Sequence, residues 1–219
     1  ESGPRQHRER YRRWRSPRGV GGQPVVCLAD RSPEQLGGAE THSTTSGVAS
    51  FMAENEEDCL NMIKKLLDYL PSNILEDPPL MKGESSQGLT PDPELGNIVP
   101  DDPRQPYDIR DVIKSITDDS EFFEIQECWA KNMVIGFGRM DGETCGFVCN
   151  QPLVLAGVLD VDSSDKASRF IRYCDSFNIP IITLVDLPGY LPGVDQEHAG
   201  VIRHGAKMLY AYSEATVPK

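Results

Sequence analysis

The order of hydrophobic patterns along the chain predicts an α/β fold. Three observations carry that prediction. "NMVIGFGRM" and "ETCGFVCNQ" flank an Asp-Gly pair, the sequence of a β-hairpin closed by a type I′ turn. "SSDKASRFIRYCDSF" puts Ala167, Phe170, Ile171, Cys174 and Phe177 on one face of a helix. "IPIITLV" then follows almost at once, a continuous apolar run that suits a strand buried on both faces.

The remaining elements fall around that frame. "SPEQLGGAETHSTTSGVASFMAENEEDCLNMIKKLLDYLPSN" reads as a Gly-rich turn followed by a helix. Asn55 is placed to cap the helix, Leu60, Ile63, Leu67 and Leu70 recur at helical spacing, and Pro71 ends it. Residues 76–106 are rich in Pro, Gly and acids and read as a linker, separating a unit over 32–75 from a second over 107–219. The second unit opens with an amphipathic helix carrying Ile109, Val112, Ile113 and Ile116. After the hairpin, "PLVLAGVLDV" reads as a third strand, and Ser163 or Ser164 as the cap of the helix behind it. A last helix is expected over Glu197 to Tyr212, with Val201, Gly205, Met208, Leu209 and Tyr212 on one face. A further strand is expected after "EATVPK".

Charge narrows the function classes. The formal net charge of −12 hides an asymmetry: residues Glu1 to Gly19 hold seven Arg and two Glu, a net of +5, so the rest carries −17. An acidic body argues against nucleic acid as a partner, because phosphate binding needs clustered Lys and Arg. The Arg-rich start, residues 1–31, reads as a basic arm, a transit peptide (against which Glu1 and Glu9 count) or a non-native segment. Its disagreement with every fold signal favours the last. No apolar run is long enough for a membrane span, and no signal peptide is visible. Cys27, Cys59, Cys128, Cys145, Cys149 and Cys174 form no CxxC pair and read as buried thiols in a reducing compartment, with no metal site.

Familiar site motifs are weak. "GFGRMDG" has the wrong spacing for a dinucleotide fingerprint, and the hairpin accounts for it. Asp160, Asp162 and Asp165 lack the glycine of a calcium loop and fit a helix start. His42, His198 and His204 have no nucleophile at recognisable spacing, so each reads as a surface or packing residue. "DLPGYLPGVDQEHAG" is different. It leaves the carboxyl end of a buried strand, where open α/β sheets bind ligands, and its glycines free backbone N–H groups to face an oxyanion.

At these residues a resemblance emerges. "VDLPGYLPGVDQEHAGVIRHGAKMLYAYSEATVPK", with "SPEQLGGAETHSTTSGVA", "SEFFEIQECWAKNMVIGFGRMDG" and "FVCNQP" in order upstream, closely resembles the carboxyltransferase (beta) subunits of biotin-dependent acyl-CoA carboxylases. It is similar above all to propionyl-CoA carboxylase beta chains and methylmalonyl-CoA decarboxylase alpha subunits. The resemblance runs from Ser32 to Lys219.

The resemblance implies a crotonase-like ββα superhelix, with 32–75 as the end of one carboxyltransferase domain and 107–219 as the first half of a second. It implies biotin, as carboxybiotin on a partner carrier protein, and a short acyl-CoA such as propionyl-CoA or methylmalonyl-CoA. Pro188, Gly189, Tyr190, Leu191, Pro192, Gly193, Gln196 and Glu197 then belong to the biotin side. Phe123, Asn132, Gly136, Gly138, Arg139 and Gln151 belong to the acyl-CoA region. No catalytic side chain is assigned, because in this family backbone N–H groups at Gly-Gly turns hold the charged oxygens. Neither turn is present in this sequence, so the expectation is an internal fragment that is inactive alone. The implied partners are further copies of the chain, in a hexamer built of dimers, and a biotin carboxylase with its carrier. The implied location is the cytoplasm, or the mitochondrial matrix in a eukaryote. Two alternatives stand beside this: a piece of a sodium-pumping methylmalonyl-CoA decarboxylase alpha subunit, and a non-catalytic interaction fragment.

Overall fold

The computed structural model describes residues 32–81, 95–102 and 104–219. The basic segment 1–31 and, within the expected linker, residues 82–94 and 103 lie outside the described residues. In place of a Gly-rich turn, the described chain opens with two short helices, α1 (Pro33–Gly37) and α2 (Ala39–Thr44). Ser32 and Gln35 start α1 with a reciprocal capping box, which outweighs the glycines that follow. Helix α3 (Glu56–Leu67) begins where expected, the Asn55 side chain accepting from Asp58 N. Three of its four predicted stripe residues, Leu60, Ile63 and Leu67, are exposed; the fourth, Leu70, packs on the core together with Leu66 and Tyr69.

A one-turn helix α4 (Leu95–Ile98) precedes α5 (Ile109–Ile116), which is capped by Asp108. Four strands follow: β1 (Phe122–Ile125), β2 (Met133–Met140), β3 (Glu143–Asn150) and β4 (Ile181–Leu184). They form one sheet in that order, antiparallel except for the parallel pair β3–β4. Asp141 and Gly142 both have positive φ, as a type I′ turn requires.

Two expectations about strands are corrected. The strand that was missed is β1, four residues too short to show a period. The strand that was expected over "PLVLAGVLDV" is absent. Leu155 and Ala156 turn left-handed there, and the Asn150 and Asn132 side-chain amides donate to Gly157 O and Val158 O at 3.0 and 2.8 Å. Those carbonyls are thereby taken up by side chains before a ladder can use them.

Helix α6 (Val161–Ser176) crosses from β3 to β4. Its cap is Asp160, not Ser163 or Ser164; Ser163 answers from the third helical position in a capping box. The helix stops at Asn178, which takes the left-handed conformation at the exit. The chain ends in α7 (Val194–Ala199) and α8 (Val201–Glu214). The single helix expected over 197–212 is split by Gly200, whose φ of 83° breaks the ladder.

The sheet separates two apolar clusters. Met133, Ile135, Phe137 and Val148 face α6 and α8, meeting Phe170, Ile171, Cys174 and Ala211. Val134, Phe147 and Cys149 face Ile109 and Ile113 of α5. This period-2 alternation is what a sheet covered on both faces needs. Strand glycines make room for close layers: a Cβ on Gly146 would lie 2.5 Å from Cys174 Sγ, and one on Gly136 would lie 2.7 Å from Phe122 Cζ. Strand β4 departs from the sequence reading. Only Ile181 is buried, because β4 is the sheet's edge strand in this chain. On α8 the expected face holds at Val201, Gly205, Met208 and Tyr212, but Leu209 is 70% exposed and Ala211 is buried in its stead. Of the thiols, Cys145, Cys149 and Cys174 are buried, but Cys59 is exposed; Cys27 lies outside the described residues. Burial pushes Cys145 up to about 11 and Cys149 to about 12.

Tyr69 and Phe51 cross the expected domain boundary. Phe123 stacks on both, and Tyr69 also stacks on Phe137. Beside them lies Lys166 of α6, only 1% exposed. Its Nζ donates toward four main-chain carbonyls, at 3.0 Å (Gln126), 2.8 Å (Trp129), 3.3 Å (Ala130) and 2.7 Å (Met133). Burial pushes this lysine down to about 8, so it is still mainly a cation at neutral pH. Gln126 and Ala130 take positive φ, which turns the carbonyls of this loop inward.

Lys166→Met keeps most of the apolar stem and removes the donor. It is expected to lower stability by about 3 kcal/mol, because carbonyls buried around a cation lose their partner together. Urea unfolding measures the loss, and a change below about 0.5 kcal/mol, as at ordinary surface sites, would show that the cage is dispensable.

Candidate functional site

The loop after β4 is held open by its own backbone. Leu159 N donates to Gly189 O at 3.0 Å and Leu191 N to Leu159 O at 2.7 Å, a parallel bridge between Leu159 and Tyr190. Gly189 and Gly193 have φ of 145° and 155°, and a Cβ on either would meet nothing within 4 Å. Glycine is needed there for conformation, not for space. The N–H groups of Gly189 and Gly193 take no part in the backbone hydrogen bonds of the described residues. The entry to the loop is fixed by Tyr107, whose hydroxyl donates to Asp186 at 2.9 Å. Burial and that bond push Tyr107 up to about 12.

Tyr190, Leu191, Pro192 and Glu197 line one groove of about 390 Å³, closed on the other side by Val201, Ile202, Gly205, Ala206 and Leu209 of α8. The structure thus brings together four of the eight biotin-side residues. Gln196 is an anchor: its Oε1 accepts from Val161 N, at the start of α6. Pro188, Gly189 and Gly193 shape the loop without lining the groove.

Of the expected acyl-CoA residues, Phe123 lines a separate groove of about 380 Å³, with Phe51, Met52, Arg110 and Gln126 among its walls. The other five do not line it and serve the framework instead. Asn132 donates to Val158 O, and fully buried Gln151 donates to Asp108 at 2.7 Å and accepts from Ile109 N. Gly136 and Gly138 leave space for Phe122 and Thr117. Arg139 lies 4.2 Å over the Tyr69 ring and donates to Asp68 O. The structure therefore does not gather these six at one surface.

Other titratable groups tie elements together. Asp165 of α6 meets His204 Nδ1 at 2.9 Å and Lys207 Nζ at 2.7 Å, both on α8. Burial alone would raise Asp165, but the Lys207 and His204 bonds outweigh it and hold the carboxyl below its usual range. At Asp108 burial is likewise outweighed, by Gln151 and Arg110. His42 bonds Ser46, and His198 is exposed on α7. Among the described residues, no cluster of three or more His, Cys, Asp or Glu could hold a metal ion, and no helix is long and apolar enough to cross a membrane.

Sequence reasoning missed Lys166, Leu159 and the ring contact of Tyr190. Lys166 had a signal: it shares a helix face with Ser163, Phe170 and Cys174, a core position for a charged residue.

A parallel crossover that delivers a glycine-built loop to a groove at the strand's carboxyl end defines an α/β protein, with that groove as its candidate site. The family model for the carboxyl transferase domain matches residues 21–219, and the chain belongs to that family. The match begins ahead of Ser32, where the sequence pattern first becomes legible. The chain is 58% identical, over 185 residues, to the propionyl-CoA carboxylase carboxyltransferase subunit of Haloferax mediterranei, covering 84% of this chain and 36% of that protein. It is 54% identical to the methylmalonyl-CoA decarboxylase alpha subunit of Veillonella parvula, over 85% of this chain and 36% of that one. The crystal structure of the transcarboxylase 12S hexamer, with hydrolysed methylmalonyl-coenzyme A bound, superposes with a TM-score of 0.82 at 48% identity. It covers 91% of this chain and 37% of its own. The fold is crotonase-like, as in these carboxyltransferases. The chain spans little more than a third of the length of the relatives it matches.

The carboxylates give a pH dependence with a definite sign. Asp108 and Asp165 have folded values below the ordinary 3.8, so each contributes stability that is present above that value and lost as pH falls through the folded one. The urea midpoint is expected to fall between about pH 5 and pH 2, and Asp165→Asn to make that fall shallower. An unchanged acid slope in Asp165→Asn would count against the ion pair.

Proposed function

We propose that the chain forms the carboxybiotin-side wall, and part of the acyl-CoA side, of a carboxyltransferase that moves a carboxyl group between biotin and a short acyl-CoA. One observation carries the reading. In a chain of the carboxyl transferase family, the loop that leaves β4 lends Tyr190, Leu191, Pro192 and Glu197 to an apolar groove and carries two glycine amides with no backbone partner. Biotin, carried on a partner protein, supplies the carboxyl group. The residues fit such a group: Tyr190, Leu191, Pro192 and Val201 offer apolar walls that exclude water, and the same loop carries the Gly189 and Gly193 amides, which have no backbone partner and can donate to a negative oxygen. Phe123 and its groove take the acyl-CoA side, with Asn132, Gly136, Gly138, Arg139 and Gln151 as framework.

In this reading the complete reaction belongs to a longer protein or assembly, because the chain covers only 36% of the relatives it matches. The chain alone binds without turning over. Its partners are further copies of the subunit, as in the hexameric transcarboxylase, and a biotin carboxylase with its carrier. The location is cytoplasmic, or the mitochondrial matrix in a eukaryote, in keeping with the free thiols at Cys145, Cys149 and Cys174. The Veillonella parvula relative supports a second reading, methylmalonyl-CoA decarboxylation, which uses the same groove.

The test is a segment exchange. Residues 32–219 of this chain replace their counterpart in the Haloferax mediterranei subunit, and the chimera is assayed for carboxylation of propionyl-CoA with its carboxylase partner. Activity within about tenfold of the parent is expected, since matched contacts lose little transition-state binding. A chimera that assembles normally yet transfers nothing would sink the proposal.

A further inference from the structure

Gly205 sits in the interior of α8, where glycine is the least favoured residue after proline. Its φ is unremarkable, so no backbone conformation demands it. The reason for it is Tyr190. A Cβ on Gly205 would lie 2.6 Å from Cζ and 2.7 Å from Cε1 of the Tyr190 ring, and closer still to its hydroxyl oxygen. The ring therefore lies directly against the helix backbone. Gly205 is buried beneath it, while Tyr190 is 47% exposed toward the groove.

Both residues line the groove, one from each wall. The main chain of Tyr190 is at the same time pinned by the bridge to Leu159. The ring thus cannot retreat without loosening the loop, and cannot advance without narrowing the groove. We infer that the seating of the Tyr190 ring on Gly205 sets the width of this groove and makes the pair a specificity-determining gauge for the ring system it accepts. The inference rests on the biotin-side reading above for the identity of that ring system, and on the ring contact itself for the gauge.

A double-mutant cycle tests it on the full 219-residue chain, with variants Gly205→Ala, Tyr190→Ala and the pair, plus Tyr190→Phe. Two quantities are read: the melting temperature, and binding of d-biotin followed by NMR titration. Alanine is the better helix former, so Gly205→Ala should raise the melting temperature clearly when Tyr190 is alanine, and less or not at all when the tyrosine is present. Equal shifts in the two backgrounds overturn the gauge. Gly205→Ala alone should weaken d-biotin binding about tenfold, as an overpacked contact does, while Tyr190→Phe should keep it. Coupled melting temperatures with biotin binding equal in Gly205→Ala and native protein also overturn the gauge. Native protein that binds no biotin, with the coupling intact, sinks the biotin-side reading and leaves the ring contact standing.

Discussion

The structure hangs on one buried cation. Lys166 reaches out of α6 into a loop that has turned four carbonyls toward it. A buried ammonium without such partners would be driven to lose its proton, and a loop with four inward carbonyls would be left unsatisfied without a donor. Each group makes the other tolerable. The loop so fixed runs from the end of β1 to the start of β2, and other parts of the chain are tied to it. Gln126 N donates to Ser50 O and its side chain to Gly47 O, which docks the segment ahead of α3. Gly47 itself has room for nothing but Trp129.

From that point the two grooves follow by separate routes. Toward β1, the fixed loop presents Gln126, Glu127 and Cys128 to the groove beside Phe123. Toward β2, it delivers Asn132, which holds Val158 O, and the next residue, Leu159, is the one that pairs with Tyr190. The loop at 188–193 is thus positioned by a chain of hydrogen bonds to main-chain groups that starts at the lysine cage. The Asp165 contacts to His204 and Lys207 add a second tie, holding α8, the far wall of the groove, against α6. A site that uses backbone amides as donors needs a frame of this kind, since its groups cannot adjust by changing rotamer.

Much of the fold was legible because it obeyed local rules. The Asp-Gly turn, the Asn55 cap and the apolar face of α6 each announce themselves within a few residues. What was not legible depended on distant partners. β1 is a strand only because β2 pairs with it, and "PLVLAGVLDV" fails to be one because the side chains of Asn132, from across the sheet, and Asn150, just ahead of it, take its carbonyls. The loop of the candidate site stood out by its Pro-Gly pairs, and four of its eight named residues do line a groove. The acyl-CoA residues other than Phe123 proved to be framework, because a motif records packing needs and contact needs in the same letters. Lys166 draws no notice in the sequence, although its place on the helix face of Ser163, Phe170 and Cys174 marks it as buried.

The central claim is that this chain carries two distinct ligand surfaces, a biotin side at 188–205 and an acyl-CoA side around Phe123. The most direct measurement is amide shift mapping of the 219-residue chain, titrated in turn with d-biotin and with propionyl-CoA. The account predicts that biotin moves amides of Gly189 to Gly205, and that the CoA ester moves those of Phe122 to Cys128, each leaving the other set in place. Shifts from both ligands on one and the same surface, or on neither, would contradict it.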